Sequence, residues 1–139
     1  MQTFVPYPDD FQSAACLDDR RLLKQIVECH QILRALTDPE YGWQNHPATK
    51  MWRGYSRRLY AYYEAMQAEY KKRRNKYVNV NPPVNNDDLA SDPDWWGGVI
   101  HATHRANLLR KKQEYYSSFG WTEDVNMPYF WPTKQEVNT

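Results

Sequence analysis

The chain has 139 residues, 41% hydrophobic and 25% charged, which is the balance expected of one globular domain spanning 1–139. Lysine and arginine number 18 against 17 aspartates and glutamates, and a net charge of +1, taken as an average, argues against a small basic nucleic-acid binder. Six Trp and eleven Tyr exclude a disordered tail, and no apolar run reaches membrane-spanning length.

The opening MQTFVPYPDD lacks the basic-then-apolar pattern of a signal peptide, so a cytoplasmic protein with Cys16 and Cys29 reduced is expected. Pro6 and Pro8 make the N-terminal arm extended. From about Asp18 the pattern turns helical, with Leu22, Ile26, Cys29, Leu33 and Leu36 at spacings of three and four. Asp18 is the expected N-cap, and Thr37-Asp38-Pro39 ends the helix. Pro47 suits the first position of a second helix carrying Met51, Tyr55, Leu59, Tyr62, Met66 and Tyr70 on one core stripe, with Gly54 inside it as a weak point. Residues 77–98 are rich in Asn, Asp, Pro and Gly and read as a long loop. A third helix begins near Ile100 or Thr103, and the tail FGWTEDVNMPYFWP packs as an irregular aromatic strap. No strand pattern is convincing, so the predicted class is all-α, with about three main helices.

The average charge hides segregation. Residues 50–76 hold nine basic and two acidic side chains, and 101–112 hold four basic and none acidic. Such blocks are commonly solvated helix faces. Folded onto one side, with the acids turned away, they would form a positive face for a phosphate backbone.

Three constellations could carry chemistry. Arg21, Lys24, Gln25 and Glu28 share a face of the first helix, as a salt-bridge ladder or as a carboxylate among phosphate-binding cations. His101 and His104 form H-x-x-H, a poor metal pattern without a third ligand, and read better as donors to an anion at a helix start. Aromatic residues interleave with Lys50, Arg53, Arg57 and Arg58, and a basic run continues from His104 to Lys112, a composition suited to phosphates and unstacked bases. No phosphate-binding glycine loop or G-x-S-x-G is present.

The segments LDDRRLLKQIVECHQIL, NHPATKMWRGY and VIHATHRANLLRK resemble the pyrimidine-dimer DNA glycosylases, the phage ultraviolet-repair enzymes called endonuclease V. The likeness is greatest to a bacterial and phage subgroup with MQTF-P-PD, GW-NHPA--MWRGY, HA-HR-NLLRK and FGW…PY-WP blocks, and it covers nearly the whole chain.

That resemblance implies a monomeric helical enzyme without metal or other cofactor. It would bind damaged double-stranded DNA, cleave the glycosidic bond at a pyrimidine dimer, and nick the strand by β-elimination. The nucleophile would be the chain's own α-amine and the acid/base a glutamate on the first helix, which alignment places at Glu28. Characterised phage enzymes expose a threonine amine after losing methionine; here the bulk of Gln2 should block that removal, so Met1 is the expected nucleophile. Arg21 and Lys24 are expected on phosphates, His46 and His101 on substrate, Gln2 and Gln25 beside the centre, and His104, Arg105 and Arg110 facing phosphates. The alternatives are the same chemistry on abasic sites or other damaged bases, a non-catalytic DNA-binding module, and a metal-dependent hydrolase using His101 and His104.

Overall fold

The structure, a computed structural model, describes residues 2–132. Among these residues six α-helices and one short 3-10 turn alternate with irregular chain, and there is no strand, in agreement with the predicted all-α class.

After an extended arm, α1 (Asp10–Cys16) is started by Asp9, whose carboxylate accepts from Gln12 N at 2.9 Å. Two turns are too few for hydrophobic periodicity to reveal this helix. Helix α2 (Asp19–Thr37) buries the predicted Leu22, Ile26, Cys29 and Leu33 and stops at the predicted place. Asp18 stands at its N-cap but does not cap it with its side chain. Its carboxylate instead accepts from the Tyr116 hydroxyl and lies 3.6 Å from Lys112 Nζ.

The expected second helix is two helices, α3 (Pro47–Met51) and α4 (Ser56–Arg74). Gly54, expected inside a continuous helix, has φ +88° and turns the chain between them. Trp52, at the C-cap of α3, is buried edge-on to both Trp95 and Trp96, and a continuous helix would carry it out of that slot. The start of α4 borrows its cap from the long loop, since Ser56 N donates to Asp88 Oδ2 at 3.0 Å. Helix α4 then packs on α1 and α2 through buried Leu59, Tyr62 and Met66.

The loop over 77–98 is pinned to α4 by Gln67, whose carboxamide both accepts from Val78 N and donates to Val78 O, each at 2.9 Å. Helix α5 (Ile100–Lys111) leads into α6 (Gln113–Tyr116). The predicted aromatic strap follows: Trp121 stacks on Tyr116 at 5.6 Å, and Tyr129 lies against Phe4 and His104. Cys16 and Cys29 are free and buried, and burial pushes the Cys16 thiol up to about 12 and the Cys29 thiol up as well.

Candidate active site

The head of the chain meets the middle of α2. Gln2 N donates to Glu28 Oε2 at 2.8 Å, while Glu28 Oε1 lies 3.7 Å from Lys24 Nζ, one helical turn away. The Glu28 side chain is only 12% exposed, so its carboxylate is reached through the cleft rather than from open solvent. That cleft, of ≈ 300 Å³, is lined by Gln2, Phe4, Arg21, Lys24, Glu28, His46, Lys111, Tyr129 and Trp131. Met1 lies outside the described residues.

A second concavity of ≈ 380 Å³ continues from it, sharing Arg21, Lys24 and Lys111 and adding Arg20, Lys112, Asp18 and Tyr116. Lys24 has Glu28 and Lys112 has Asp18, but among the described residues Arg20, Arg21 and Lys111 have no carboxylate within ion-pair distance. Desolvation lowers the Lys111 pKa, as do the neighbouring Arg21, Lys24 and Arg110. Arg21 lines both concavities and rests over the Phe4 ring, 5.5 Å from its centroid. The result is a basic groove that runs into a site with one carboxylate and an aromatic wall.

The fold brings Gln2, Arg21, Lys24, Glu28 and His46 together. His46 Nδ1 caps α3 by accepting from Ala48 N at 3.0 Å, and its ring stands edge-on to Trp43 and Trp131. Partial burial lowers its pKa, favouring the neutral imidazole.

Gln25 is fully buried with both amide atoms bonded to the arm, so it sits against the head of the chain and lines neither concavity. Four other positions are not where the sequence put them. His101 is buried with Nδ1 bonded to Val5 O at 2.7 Å and Nε2 accepting from Gly97 N at 2.9 Å. His104 is buried with Nδ1 accepting from Val5 N at 2.9 Å. Both rings fasten the arm instead of facing a phosphate. Arg105 is held by Glu123 Oε2 and Pro6 O at 2.9 and 2.8 Å. Arg110 ties the tail through Val125 O at 3.0 Å and Asn107. Among the described residues no group of three or more His, Cys, Asp or Glu could hold a metal ion, and no helix is long and apolar enough to cross a membrane.

The expected positive face also moves. In the 50–76 block, Arg58 pairs with Asp10 and Asp92, Arg73 with Asp19 and Glu69, and Arg74 with Asp19. Acids interleave there instead of folding away. Lys50, Arg53, Arg57, Lys71, Lys72 and Lys76 pair with no carboxylate among the described residues, but they line neither concavity, whose cations come from the start of α2 and the end of α5. Lys111, Phe4, Tyr129 and Trp131 were missed as site residues. The basic run 110–112 signalled Lys111 only as one of several cations, and nothing in the tail indicates which rings reach the cleft.

A carboxylate fixed at the head of the chain, next to unpaired cations and aromatic rings, equips a helical fold for acid–base chemistry on a polyanion that carries bases. The sequence model of a family described as pyrimidine dimer DNA glycosylase matches residues 1–85, which include the arm, α2, α3 and α4. The chain belongs to this family of DNA repair glycosylases, whose members act on damaged DNA. Neither the comparison with curated proteins nor that with solved structures returned a match.

Proposed function

We propose that this protein excises ultraviolet-induced pyrimidine dimers from duplex DNA and then nicks the strand as an AP lyase, with the α-amine of Met1 as nucleophile and Glu28 as acid/base. The observation that carries this reading is the 2.8 Å bond from Gln2 N to Glu28 Oε2. The α-amine is three covalent bonds from that nitrogen, hence within about 3.7 Å of it whatever the dihedral angle between them.

An α-amine titrates at about 7.7–8.0, so a useful fraction is neutral near pH 7, unlike an ordinary lysine at about 10.4. Its lone pair attacks the sugar C1′, the glycosidic bond breaks, and the base leaves with the bonding pair and takes up a proton. Opening of the C1′–O4′ bond, with a proton passed to O4′, gives a protonated imine linking enzyme and sugar. The imine draws electrons from C2′, a proton leaves C2′, and the 3′-phosphate departs by β-elimination. In this reading Glu28 carries the proton at O4′ and then the one at C2′. Arg20, Arg21 and Lys111 supply phosphate contacts, and every group used belongs to the chain.

One distance favours a variant of the same chemistry. The atom on Glu28 is the nitrogen of residue 2, so a chain that had lost Met1 would place its free amine directly on the carboxylate. The bulk of Gln2 opposes methionine removal, and a free N-terminal glutamine cyclises to an amide that cannot attack. Met1 therefore remains our assignment.

Borohydride trapping on an irradiated or abasic duplex tests both, with mass analysis of the adduct peptide. The expected adduct is on Met1 and is lost when the N-terminus is acetylated. An adduct on a lysine, or one that survives acetylation, overturns the α-amine reading. Trapping on abasic duplex without base release from irradiated duplex would limit the activity to the lyase step.

A further inference from the structure

The arm that leads to Glu28 is a buried, extended segment with no strand beside it among the described residues. Gln2, Thr3, Phe4 and Val5 are all buried, and extended backbone presents N–H and C=O groups that must find partners. Side chains take the place of the missing strand. The Gln25 carboxamide accepts from Phe4 N and donates to Gln2 O, both at 2.6 Å, the paired bonds that the C=O and N–H of one residue on a parallel neighbouring strand would make. Tyr62 donates to Phe4 O at 2.6 Å, and His104 and His101 take the two polar groups of Val5. Gln25 and Glu28 lie three residues apart on α2. One rigid helix thus holds both the carboxylate and the group that sets the register of the arm. A slip of one residue would turn the side chains of the arm to the opposite face and carry Gln2 N away from Glu28.

We propose that Gln25 is the positioning residue for the nucleophilic amine: its carboxamide fixes the register of residues 2–4 and so delivers the first residue's amine to Glu28. This rests on the α-amine reading above. Gln25 touches no reacting atom; it acts through the backbone of the arm.

Gln25→Leu removes both bonds and is expected to slow borohydride trapping on an abasic duplex by about a hundredfold, as for a displaced reacting group. Affinity for the same duplex, measured in a Glu28→Gln background, should stay within about twofold, because Gln25 lies off the groove. Gln25→Glu is the sharper variant. A protonated carboxyl offers one donor and one acceptor and reproduces both bonds, whereas an ionised one has no donor for Gln2 O. Wild-type trapping rises with pH as the amine loses its proton. The ratio of Gln25→Glu to wild-type trapping should instead fall at least about tenfold between about pH 6 and about pH 9, the range that brackets a buried carboxyl.

A flat ratio overturns the proposal, whether or not Gln25→Leu folds. So does trapping by Gln25→Leu at the wild-type rate, or a loss of duplex affinity that matches its loss of trapping. Failure of the underlying reading is separate: acetylated wild-type protein that still traps DNA removes the α-amine irrespective of Gln25.

Discussion

Arg58 and Arg21 are both helix arginines, on α4 and α2, yet they have opposite fates. Arg58 is buried, forked onto both oxygens of Asp10 at 2.8 and 2.9 Å, bonded to Asp92 at 2.8 Å, and stacked over Trp96. Its donors are committed inside the protein. Arg73 is committed in the same way to Asp19, Glu69 and Ala15 O. Arg21 has only an aromatic ring beneath it and faces the cleft, alongside Lys111, which also lacks a carboxylate among the described residues. A guanidinium has five N–H donors, and only those left over from internal bonding are available to a phosphate. Arg58 and Arg73, from the more basic stretch of sequence, therefore hold the fold together, while Arg21 and Lys111 keep donors open to the cleft.

This division can be broken at either side. The largest effect belongs to the cleft. Glu28→Gln should lower strand nicking by about 10²–10⁴-fold while leaving affinity for intact damaged duplex within about threefold, in gel assays of cleavage and binding. Unaltered nicking would take Glu28 out of the chemistry. On the other side, Arg58→Ala leaves Asp10 partly buried without its partner. It should cost about 2–4 kcal/mol in urea unfolding, with no change in the salt dependence of DNA binding.

A pH effect on stability follows from the way the arm is fastened. Burial, then the nearby His101, lowers the His104 pKa from 6.5 to about 3, and burial lowers that of His101 in the same direction. The unfolded chain binds protons at these rings below about pH 6.5, while the folded chain refuses them. Stability is thus complete above the unfolded value and falls as pH drops toward about 3, by about 1.4 kcal/mol per pH unit for His104 alone. Urea midpoints from pH 7 to 5 should show this slope. His104→Asn, which keeps an acceptor for Val5 N, should flatten it; an unchanged slope would assign it elsewhere.

The smallest effects sharpen the contrast between the two cationic regions. Arg21→Ala and Lys111→Ala should each reduce the slope of log affinity against log salt by about 0.9, the value for one lost phosphate contact. Arg73→Ala should leave that slope unchanged. Equal losses at Arg21 and Arg73 would erase the distinction between paired and open cations.

Much of the helical frame was legible because burial repeats with the period of the helix. Leu22, Ile26, Cys29 and Leu33 mark α2, and the end at Thr37 follows from Asp38-Pro39. The break at Gly54 was visible as a glycine but not as a break, since what demands it is the slot between Trp95 and Trp96, more than forty residues on in the chain. By spacing alone Gln25 and Glu28 look equivalent, two polar residues near one face, and the family likeness marks only Glu28. The arm lying along α2 gives each its part, making one a strand substitute and the other the carboxylate at the chain's head. His101 and His104 were read as surface donors because a histidine pair says nothing about what covers it, and here the covering is Val5.

By itself the sequence determined composition, helical periodicity, helix ends and a family likeness that singled out Glu28, because these depend on neighbours in the chain. Tertiary structure decided which cations stay open, which polar side chains stand in for a strand, and which rings wall the cleft. Those outcomes depend on partners brought together from distant positions, Arg58 with Asp10 and Val5 with His104 among them, and no local pattern records such a meeting.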